Sequence, residues 1–331
     1  MEKSRESNLR GTIFSSLCKP NRPGIIPALV LVLILVVPLV AYWLGNPFYL
    51  DVATRLVVLA IAATGLNLVL GFSGLLSFGH AAFIGIGAYA VGIPVWHDLY
   101  GGWDWLAGTN GFFHLGLAML LGGIFALVTG VIGLRTRGVH FIMITLAFGQ
   151  MMHYFFVSLE TYGGDDGLVI DSRSQFPLID LDDLVTLFLV CFGLLLIILY
   201  GIHRLVHSRF GRVLRGAKSN DERLCAMGVN PYWYRLTAWV ISGAITALAG
   251  ALLGNFSTFI SPEMMGWTRS GELLFIVILG GAGTLFGPVL GTAAFLLLEE
   301  VLSSWTVYWH FPFGLILIGM VLFRGRKRGR E

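Results

Sequence analysis

The stretch with the strongest signs of polar chemistry is a glycine-rich run over residues 65–92, GLNLVLGFSGLLSFGHAAFIGIGAYAVG. Polar side chains interrupt this otherwise apolar sequence, and such a density of glycine disfavours a rigid, continuous helix. The free N–H and C=O groups of an interrupted helix can hold a zwitterion or a polar solute without a fixed side-chain charge. The residues predicted to border such a solute path are Asn67, Gly71, Ser73, Gly74, Ser77, Gly79 and His80.

The alternative for the same run is structural, because small residues also let helices pack closely in a membrane. Both uses can hold for different glycines. A later segment, LGGAG over 279–283, echoes LGFSG over 70–74. This echo suggests an internal repeat, an arrangement that in transporters often surrounds the substrate site.

A second informative region is the basic segment, residues 203–235, which carries seven Lys or Arg residues against Asp221 and Glu222. Its apolar residues recur at helical spacing between the arginines, which predicts a short amphipathic helix able to dock into a partner. The alternative is a basic loop that only sets topology and contacts lipid headgroups. The apolar positions are Phe210, Val213, Leu214 and Ala217.

Within the basic segment, GRVLRGAKS over 211–219 resembles a phosphate-binding loop. Ala217 stands before Lys218, so the required Gly-Lys-Ser geometry is absent, and no strand precedes the run. The sequence therefore excludes ATP hydrolysis by this route.

The acidic segment, residues 160–183, contains the turn-forming sequence Gly-Gly-Asp-Asp-Gly. Its polarity favours a solvated surface loop, and the functional alternative is a docking surface for a soluble partner. A calcium loop is excluded because the spaced ligands and the terminal Glu of such a loop are missing. The candidate contact residues are Gly163, Gly164, Asp165 and Asp166.

Isolated ionisable residues lie in or near the apolar runs. Asp51 and Arg55 are four residues apart, which predicts an ion pair on one helix. No carboxylate falls clearly at mid-membrane, which weighs against an ion-coupled carrier. No metal site, catalytic residue or cofactor is predicted, because neither the three scattered cysteines nor the His203 and His207 pair supplies a ligand set.

Composition identifies the class of protein that must position these residues. Of 331 residues, 56% are hydrophobic and only 12% are charged, against about 25% charged in ordinary soluble domains. The chain is therefore predicted to be an all-α, polytopic membrane protein. Its net charge of +3 is small and its basic residues lie in loops, which excludes nucleic acid as a partner.

The hydropathy pattern predicts about ten transmembrane helices between residues 25 and 323, with tails over 1–24 and 324–331. An uncleaved first span is predicted over 25–44. The sequence GGAGTLFGP, 280–288, leaves a turn, a helix break or a re-entrant segment open. The other nine spans are predicted at 52–70, 75–95, 112–134, 139–159, 184–202, 236–256, 271–286, 288–304 and 307–323.

The distribution of charge supports an even number of spans with both termini in the cytoplasm. Nineteen of the 22 Lys and Arg residues then fall on the cytoplasmic side, where such residues are retained. Most acidic residues, including those of 160–183, fall on the opposite side. Removing one span would invert everything downstream and destroy this pattern.

Taken together, the motifs resemble the LivM-type permeases of the branched-chain amino-acid ABC importers over nearly all of 50–300. The resemblance rests on five runs. They are GLNLVLGFSGLLSFGHAAFIGIGAYA (65–90), LRTRGVHFIMITLAFGQ (134–150), YGGDDGL (162–168), SRFGRVLRGAKSNDERLCAMGVNPYWYRLTAWVISGAITALAGAL (208–252) and LGGAGTLFGPVLGTA (279–293).

The resemblance implies a multi-pass subunit of a bacterial inner membrane, surrounded by lipid. Its implied partners are a second, LivH-like permease, two cytoplasmic ATPases that use ATP, and an external solute-binding protein. The acidic segment would face the binding protein, and 65–92 would border the substrate path.

The resemblance also gives the basic segment the role of coupling to the ATPases. The importer pattern Glu-Ala-Ala, three residues, then Gly falls on Glu222, Arg223, Leu224 and Gly228, so the two alanines are replaced here. The implied coupling residues are Arg209, Phe210, Gly211, Arg215, Glu222 and Gly228. The implied cargo is a branched-chain or related small amino acid. The alternatives are urea or short amides and, from another class, an ion-coupled secondary transporter.

Overall fold

The computed structural model describes residues 25–102, 108–176, 181–305, 308, 311–316, 318 and 319, and helices dominate it. The predicted tails, 1–24 and 324–331, lie outside these residues. The helices are α1 Ile25–Trp43, α2 Phe48–Asn67, α3 Ala81–Tyr100, α4 Gly111–Gly133, α5 Val139–Val157, α6 Leu184–His207, α7 Arg209–Ser219, α8 Asp221–Ala226, α9 Pro231–Ser257, α10 Trp267–Gly280 and α11 Gly287–Trp305.

Seven of the described helices are long and apolar enough to cross a membrane. These are α2 with the π-helical turn Leu68–Ser73 that extends it, α3, α4, α5, α6, α9 and α11. In α1, the apolar segment Leu29–Trp43 is shorter. The all-α, polytopic prediction is confirmed, whereas the number of ten and the side on which the termini lie stay predictions.

The structure does not contain a continuous helix over the predicted span 271–286. Helix α10 has 14 residues and ends at Gly280, so it extends for about 21 Å, short of the ~30 Å hydrocarbon core. A turn over 281–286 follows it. The last predicted span falls largely outside the described residues.

Helix α9 lies at the centre of the bundle and packs against α2, α3 and α4. Close approach of the backbones makes this possible. A Cβ atom on Gly87 of α3 would collide with the carbonyl of Ala247, and one on Gly250 of α9 would collide with that of Ile84. The glycines here replace side-chain contact with backbone contact, as is common between membrane helices.

The bundle has two chemically distinct ends. At the acidic end, β1 (Leu168–Val169) of the acidic segment pairs antiparallel with β2 (Phe259–Ile260), which follows α9. At the basic end, Lys218 of the basic segment contacts Gly71, just beyond α2. Helices α2, α4 and α6 run from the acidic to the basic end, and α3, α5 and α9 run the other way.

Residues 74–80 separate the π-helical turn from α3 and are not helical. The prediction that a span begins at residue 75 is wrong in this respect, because α3 begins at Ala81. Helix α5 supports the irregular backbone: Phe78 donates its N–H to Thr145 Oγ1 at 3.3 Å, and Gly79 lies directly against the Thr145 carbonyl. Irregular backbone at membrane depth is tolerated where protein surrounds it in this way.

Candidate functional site

The echoing segments 70–74 and 279–283 meet at the basic end of the bundle. Asn67, which is 1% exposed, accepts a hydrogen bond from Gly283 N at 2.9 Å and donates one to Thr284 O at 2.8 Å. The side chain thereby satisfies both a donor and an acceptor of the turn over 281–286. We call residues 67–74 together with 280–287 the glycine junction.

Glycines close this junction. A Cβ atom on Gly71 would collide with the backbone of Gly283, and one on Gly280 would collide with the Gly287 carbonyl. Gly283 has a φ of +87°, in the left-handed region where glycine carries little steric cost. Backbone therefore meets backbone with no space for an intervening side chain.

The remaining candidate residues of the predicted path lie deeper in the bundle. His80 is fully buried, and its Nε2 lies 2.9 Å from the Ser242 hydroxyl of α9. The rings of Phe83 and Trp239 contact the imidazole edge-on, with centroids 5.1 and 5.5 Å away. The hydroxyl of Ser242 in turn donates to Gly65 O of α2. His80 therefore ties α2, α3 and α9 together.

The predicted path residues thus divide into two groups. Asn67, Gly71, Ser73 and Gly74 belong to the glycine junction, where Gly74 lies against the Lys218 side chain, whereas Ser77, Gly79 and His80 follow it in the chain. Ser73 and Ser77 are buried, and the Ser77 hydroxyl accepts a hydrogen bond from Gly79 N. Close packing explains why glycine occupies these positions, and the role of these glycines in a solute path stays a prediction.

A cavity of about 240 Å³ lies near the acidic end, enclosed by residues of α2, α3, α9, α10 and α11 and by Met264. Apolar side chains form most of its wall, and Arg55, Arg269 and Glu272 supply charge. No predicted path residue is among the described residues that line it. We call it the charged pocket.

Two ion pairs order the charged pocket. Arg55 of α2 donates to Glu299 Oε1 of α11 at 2.9 Å, and Arg269 of α10 donates to Glu272 Oε2 at 2.8 Å. The predicted pair of Asp51 with Arg55 is therefore wrong. The Glu299 side chain is only 19% exposed, and an unpaired carboxylate there would lose most of its hydration, so the pairing with Arg55 offsets that cost.

Glu272 and Glu299 lie in apolar runs of the sequence, but sequence reasoning did not connect them with Arg55 and Arg269. The rarity of charge inside a membrane span was the available signal. Nothing in the sequence pairs Arg55 with a residue 244 positions away.

In the basic segment, the predicted amphipathic helix is confirmed as α7. Gly211, Leu214 and Ala217 are buried on one face, and Phe210 packs its ring 5.6 Å from that of Tyr234. Arg215 folds back and donates to Val206 O at 3.2 Å.

The other implied coupling residues, Arg209, Glu222 and Gly228, are exposed. Gly228 follows α8 with a φ of +78°, a left-handed conformation of the kind that often follows a helix end. All three are therefore accessible to a partner at the basic end.

The basic segment is attached to the bundle by two contacts that sequence reasoning missed. Lys218 donates to Gly71 O at 2.7 Å, which joins α7 to the glycine junction. Asp221 accepts from Arg235 of α9 at 2.8 Å and also pairs with Arg137 at 3.6 Å. A displacement of α7 and α8 would therefore pull on both α9 and the junction.

In the acidic segment, the predicted turn-forming sequence contains the 3₁₀ turn Gly164–Asp166, and a second 3₁₀ turn, Glu160–Tyr162, precedes it. Gly163 has a φ of +88°. Gly164 is buried, whereas Asp165 and Asp166 are exposed. The two carboxylates are thus presented to solvent at the acidic end.

Comparison with known proteins gives these regions a context. Over residues 48–323 the chain matches the family described as the branched-chain amino acid transport system permease component. It is 28% identical over 298 residues to the high-affinity branched-chain amino acid transport system permease protein LivM of Salmonella typhimurium, covering 83% of this chain and 68% of the relative.

Two further relatives are more distant. A probable branched-chain amino acid transport permease protein LivM of Methanocaldococcus jannaschii is 25% identical, over 77% of this chain and 81% of its own. An autoinducer 2 import system permease protein LsrC of Yersinia pseudotuberculosis is 28% identical, over 65% of this chain and 64% of its own. No solved structure matches the chain. The extent of the family match, together with the apolar helices described above, shows that this multi-pass membrane protein belongs to the family of branched-chain amino acid transport system permeases.

Proposed function

We propose that this chain is the membrane-spanning permease of an ATP-driven importer that moves branched-chain or related small amino acids into the cytoplasm. The observation that carries the proposal is the family match over 48–323. Relatives named as branched-chain amino acid permeases support the choice of cargo. In this proposal the chain performs no catalysis, and separate subunits hydrolyse ATP.

The proposed complex adds a second, similar permease, two ATPases on the side of the basic segment and a solute-binding protein on the side of the acidic segment. The excess of Lys and Arg at the basic end supports a cytoplasmic location for it in a bacterial inner membrane. The exposed carboxylates of Asp165 and Asp166 support a polar docking surface at the opposite end.

Coupling would run through α7 and α8. The exposed residues Arg209, Glu222 and Gly228 would meet the ATPase, while the buried face of α7 keeps the helix attached to the bundle. Because Lys218 is bonded to Gly71 O, a movement of α7 on ATP binding would act directly on the glycine junction. Opening and closing that junction would expose the path to the cytoplasm, a rigid-body form of alternating access.

The test is uptake of labelled leucine into proteoliposomes that hold this chain with its partner permease, ATPases and binding protein. We expect uptake that requires both internal ATP and the binding protein. Uptake by this chain alone, driven by an ion gradient, would overturn the proposal in favour of a secondary carrier. Uptake of urea or short amides in place of leucine would keep the ATP-driven mechanism and correct the cargo.

A further inference from the structure

The charged pocket differs from an ion-pair network with a purely structural role, because its charged side chains line an open cavity. Two basic side chains, Arg55 and Arg269, and one acidic side chain, Glu272, line the same cavity. Ionisable groups inside a membrane protein are rare because their desolvation is unfavourable, and they commonly mark the path of a polar or charged solute.

The cations are more accessible than the acids that hold them. The Arg55 and Arg269 side chains are 40% and 48% exposed, whereas their partners Glu299 and Glu272 are 19% and 21% exposed. Guanidinium groups carry several N–H donors in a fixed plane and bind a carboxylate with two parallel hydrogen bonds. The pocket therefore offers donors to an anionic group beyond those already used within the protein.

The acidic side chain in the cavity wall supplies an acceptor beside these donors. Glu272 lines the pocket and accepts from Arg269 through its Oε2. A carboxylate can accept hydrogen bonds from more than one donor, so a cationic ammonium group that enters the cavity can bind Glu272 as well. Glu299 is not among the described residues that line the cavity, and it holds Arg55 in place through Oε1.

The remainder of the wall is apolar and the space is small. Leu59, Leu253, Phe256, Leu273, Ile276 and Phe295 surround the charged groups. The volume of about 240 Å³ is below the roughly 300–1,000 Å³ typical of sites for drug-sized ligands. Such a site suits a small molecule that has both charges at one end and a hydrocarbon side chain at the other.

We propose that the charged pocket is a binding site for an aliphatic α-amino acid in its zwitterionic form. Arg55 and Arg269 bind the carboxylate, Glu272 binds the ammonium group, and the apolar wall contacts the side chain, while Glu299 positions Arg55. This inference rests on the proposed function, and it assigns the site to residues that sequence reasoning did not place on the solute path.

The location of the charged pocket supports a role as an intermediate binding site on the proposed solute path. The pocket begins near the acidic end, at the first turn of α10 and the last turn of α9, and reaches Ile84 in the first turn of α3. Ile84 is one helical turn beyond His80. The pocket therefore leads from the side of the proposed binding protein toward the buried centre of the bundle.

The first experiment measures leucine uptake by the complete complex in proteoliposomes, with internal ATP and saturating binding protein. Arg55→Gln and Arg269→Gln each remove one charge and keep a polar N–H donor on a shorter side chain. We expect the maximal uptake rate of each to fall about tenfold or more, while the concentration of binding protein that gives half-maximal uptake stays unchanged. The matched control is Asp51→Asn, which removes a charge one turn from Arg55 at a residue that does not line the pocket, and should transport like the wild type.

A charge-swapped variant separates binding from structural support. In the double variant Arg55→Glu with Glu299→Arg, the ion pair can re-form with the charges exchanged. We expect normal assembly but no recovery of uptake, since the carboxylate of the solute would meet Glu in place of Arg. Recovery to the wild-type rate would show that only the ion pair matters and would overturn the inference.

A direct binding measurement does not depend on transport. In the complete complex, with the native cysteines of this chain replaced, Ser257→Cys places a thiol on the pocket wall for modification by a maleimide. We expect leucine to slow modification, and we expect neither leucinamide, which lacks the carboxylate, nor 4-methylpentanoate, which lacks the ammonium group, to do so at the same concentration. Equal protection by either analogue would overturn the inference.

The outcomes also distinguish this inference from the function on which it rests. Normal uptake by Arg55→Gln and Arg269→Gln would remove the site and leave the importer in place. Absence of ATP-dependent leucine uptake by the wild-type complex would overturn the function and the site together.

Discussion

The glycine junction and the charged pocket lie at opposite ends of the same bundle and are built in opposite ways. In the junction, backbone meets backbone across Gly71 and Gly283, and Asn67 satisfies the polar groups of the turn. In the pocket, long charged side chains surround an open space of about 240 Å³. One end of the bundle is thus closed by contact between backbones, and the other contains an open space that long side chains line.

In the proposed mechanism, this difference would let a rigid bundle pass a solute. The junction would open only when whole segments move, because backbone contact closes it and no side chain there could rotate aside. The arginine side chains of the pocket could instead adapt to a solute without movement of the helices. The following substitutions test the contrast, in order of decreasing expected effect on stability.

Enlarging a side chain should lower stability strongly at the glycine junction and only slightly at the charged pocket. Gly280→Val places a branched side chain against the Gly287 backbone, and we expect a loss of about 3 kcal/mol or more in the free energy of unfolding. Gly271→Val on the same helix is the control, because a Cβ placed there meets no described atom within 4 Å outside its chain neighbours and its own helix backbone. At the pocket, Leu253→Phe adds atoms next to open space and should be tolerated. Size-exclusion profiles and melting temperatures in detergent measure all three. A Gly280→Val protein as stable as the control would show that the junction is not closed by packing.

Removing a charge at the basic end should have an intermediate effect. Asp221→Ala leaves Arg235, whose side chain is 16% exposed, without its carboxylate, and we expect a loss of about 2 kcal/mol. The neighbouring Glu222→Ala removes an exposed carboxylate and should change stability by less than about 0.5 kcal/mol. Thermal unfolding of the purified chain compares them, and equal melting temperatures would contradict the contact of Asp221 with α9.

Breaking the link between α7 and the junction should affect transport more than stability. Lys218→Met removes the hydrogen bond to Gly71 O, so we expect ATP hydrolysis to continue while leucine uptake falls several-fold. Arg212→Met removes an exposed cation from the same helix and serves as the control. If Lys218→Met lowers hydrolysis and uptake in equal proportion, Lys218 does not transmit motion to the junction.

The smallest effect on stability is expected at Gly228. Its φ of +78° disfavours other residues, and Asn tolerates that region better than Leu. Gly228→Leu should cost about 1 kcal/mol, assemble with its partners and lose ATP-driven uptake, because a bulky exposed side chain would obstruct docking. Gly228→Asn should retain most uptake. Unchanged coupled transport in Gly228→Leu would remove this residue from the coupling surface.

Local patterns predicted the features that depend on near neighbours in the chain. The helical spacing of Phe210, Leu214 and Ala217 was sufficient to predict α7, since an amphipathic helix is defined within its own length. The glycine density of 65–92 predicted an interruption, which lies at residues 74–80. The prediction for Asp51 and Arg55 failed because it used spacing on one helix, whereas the packing of α11 against α2 placed Glu299 beside Arg55.

The amino-acid sequence was sufficient to predict the class of the protein, its apolar helices and the contrast between a basic and an acidic segment. These follow from composition and periodicity, which each segment carries alone, whereas the family was predicted from the resemblance of the quoted motifs. The packed structure was needed to show that Arg55 pairs with Glu299, that Lys218 reaches Gly71 and that a pocket lies between α2, α9 and α10. Such contacts join residues far apart in the chain, and no local pattern in either helix predicts its partner. They form only when the helices pack, because the shape and burial of the packed surfaces select the partners.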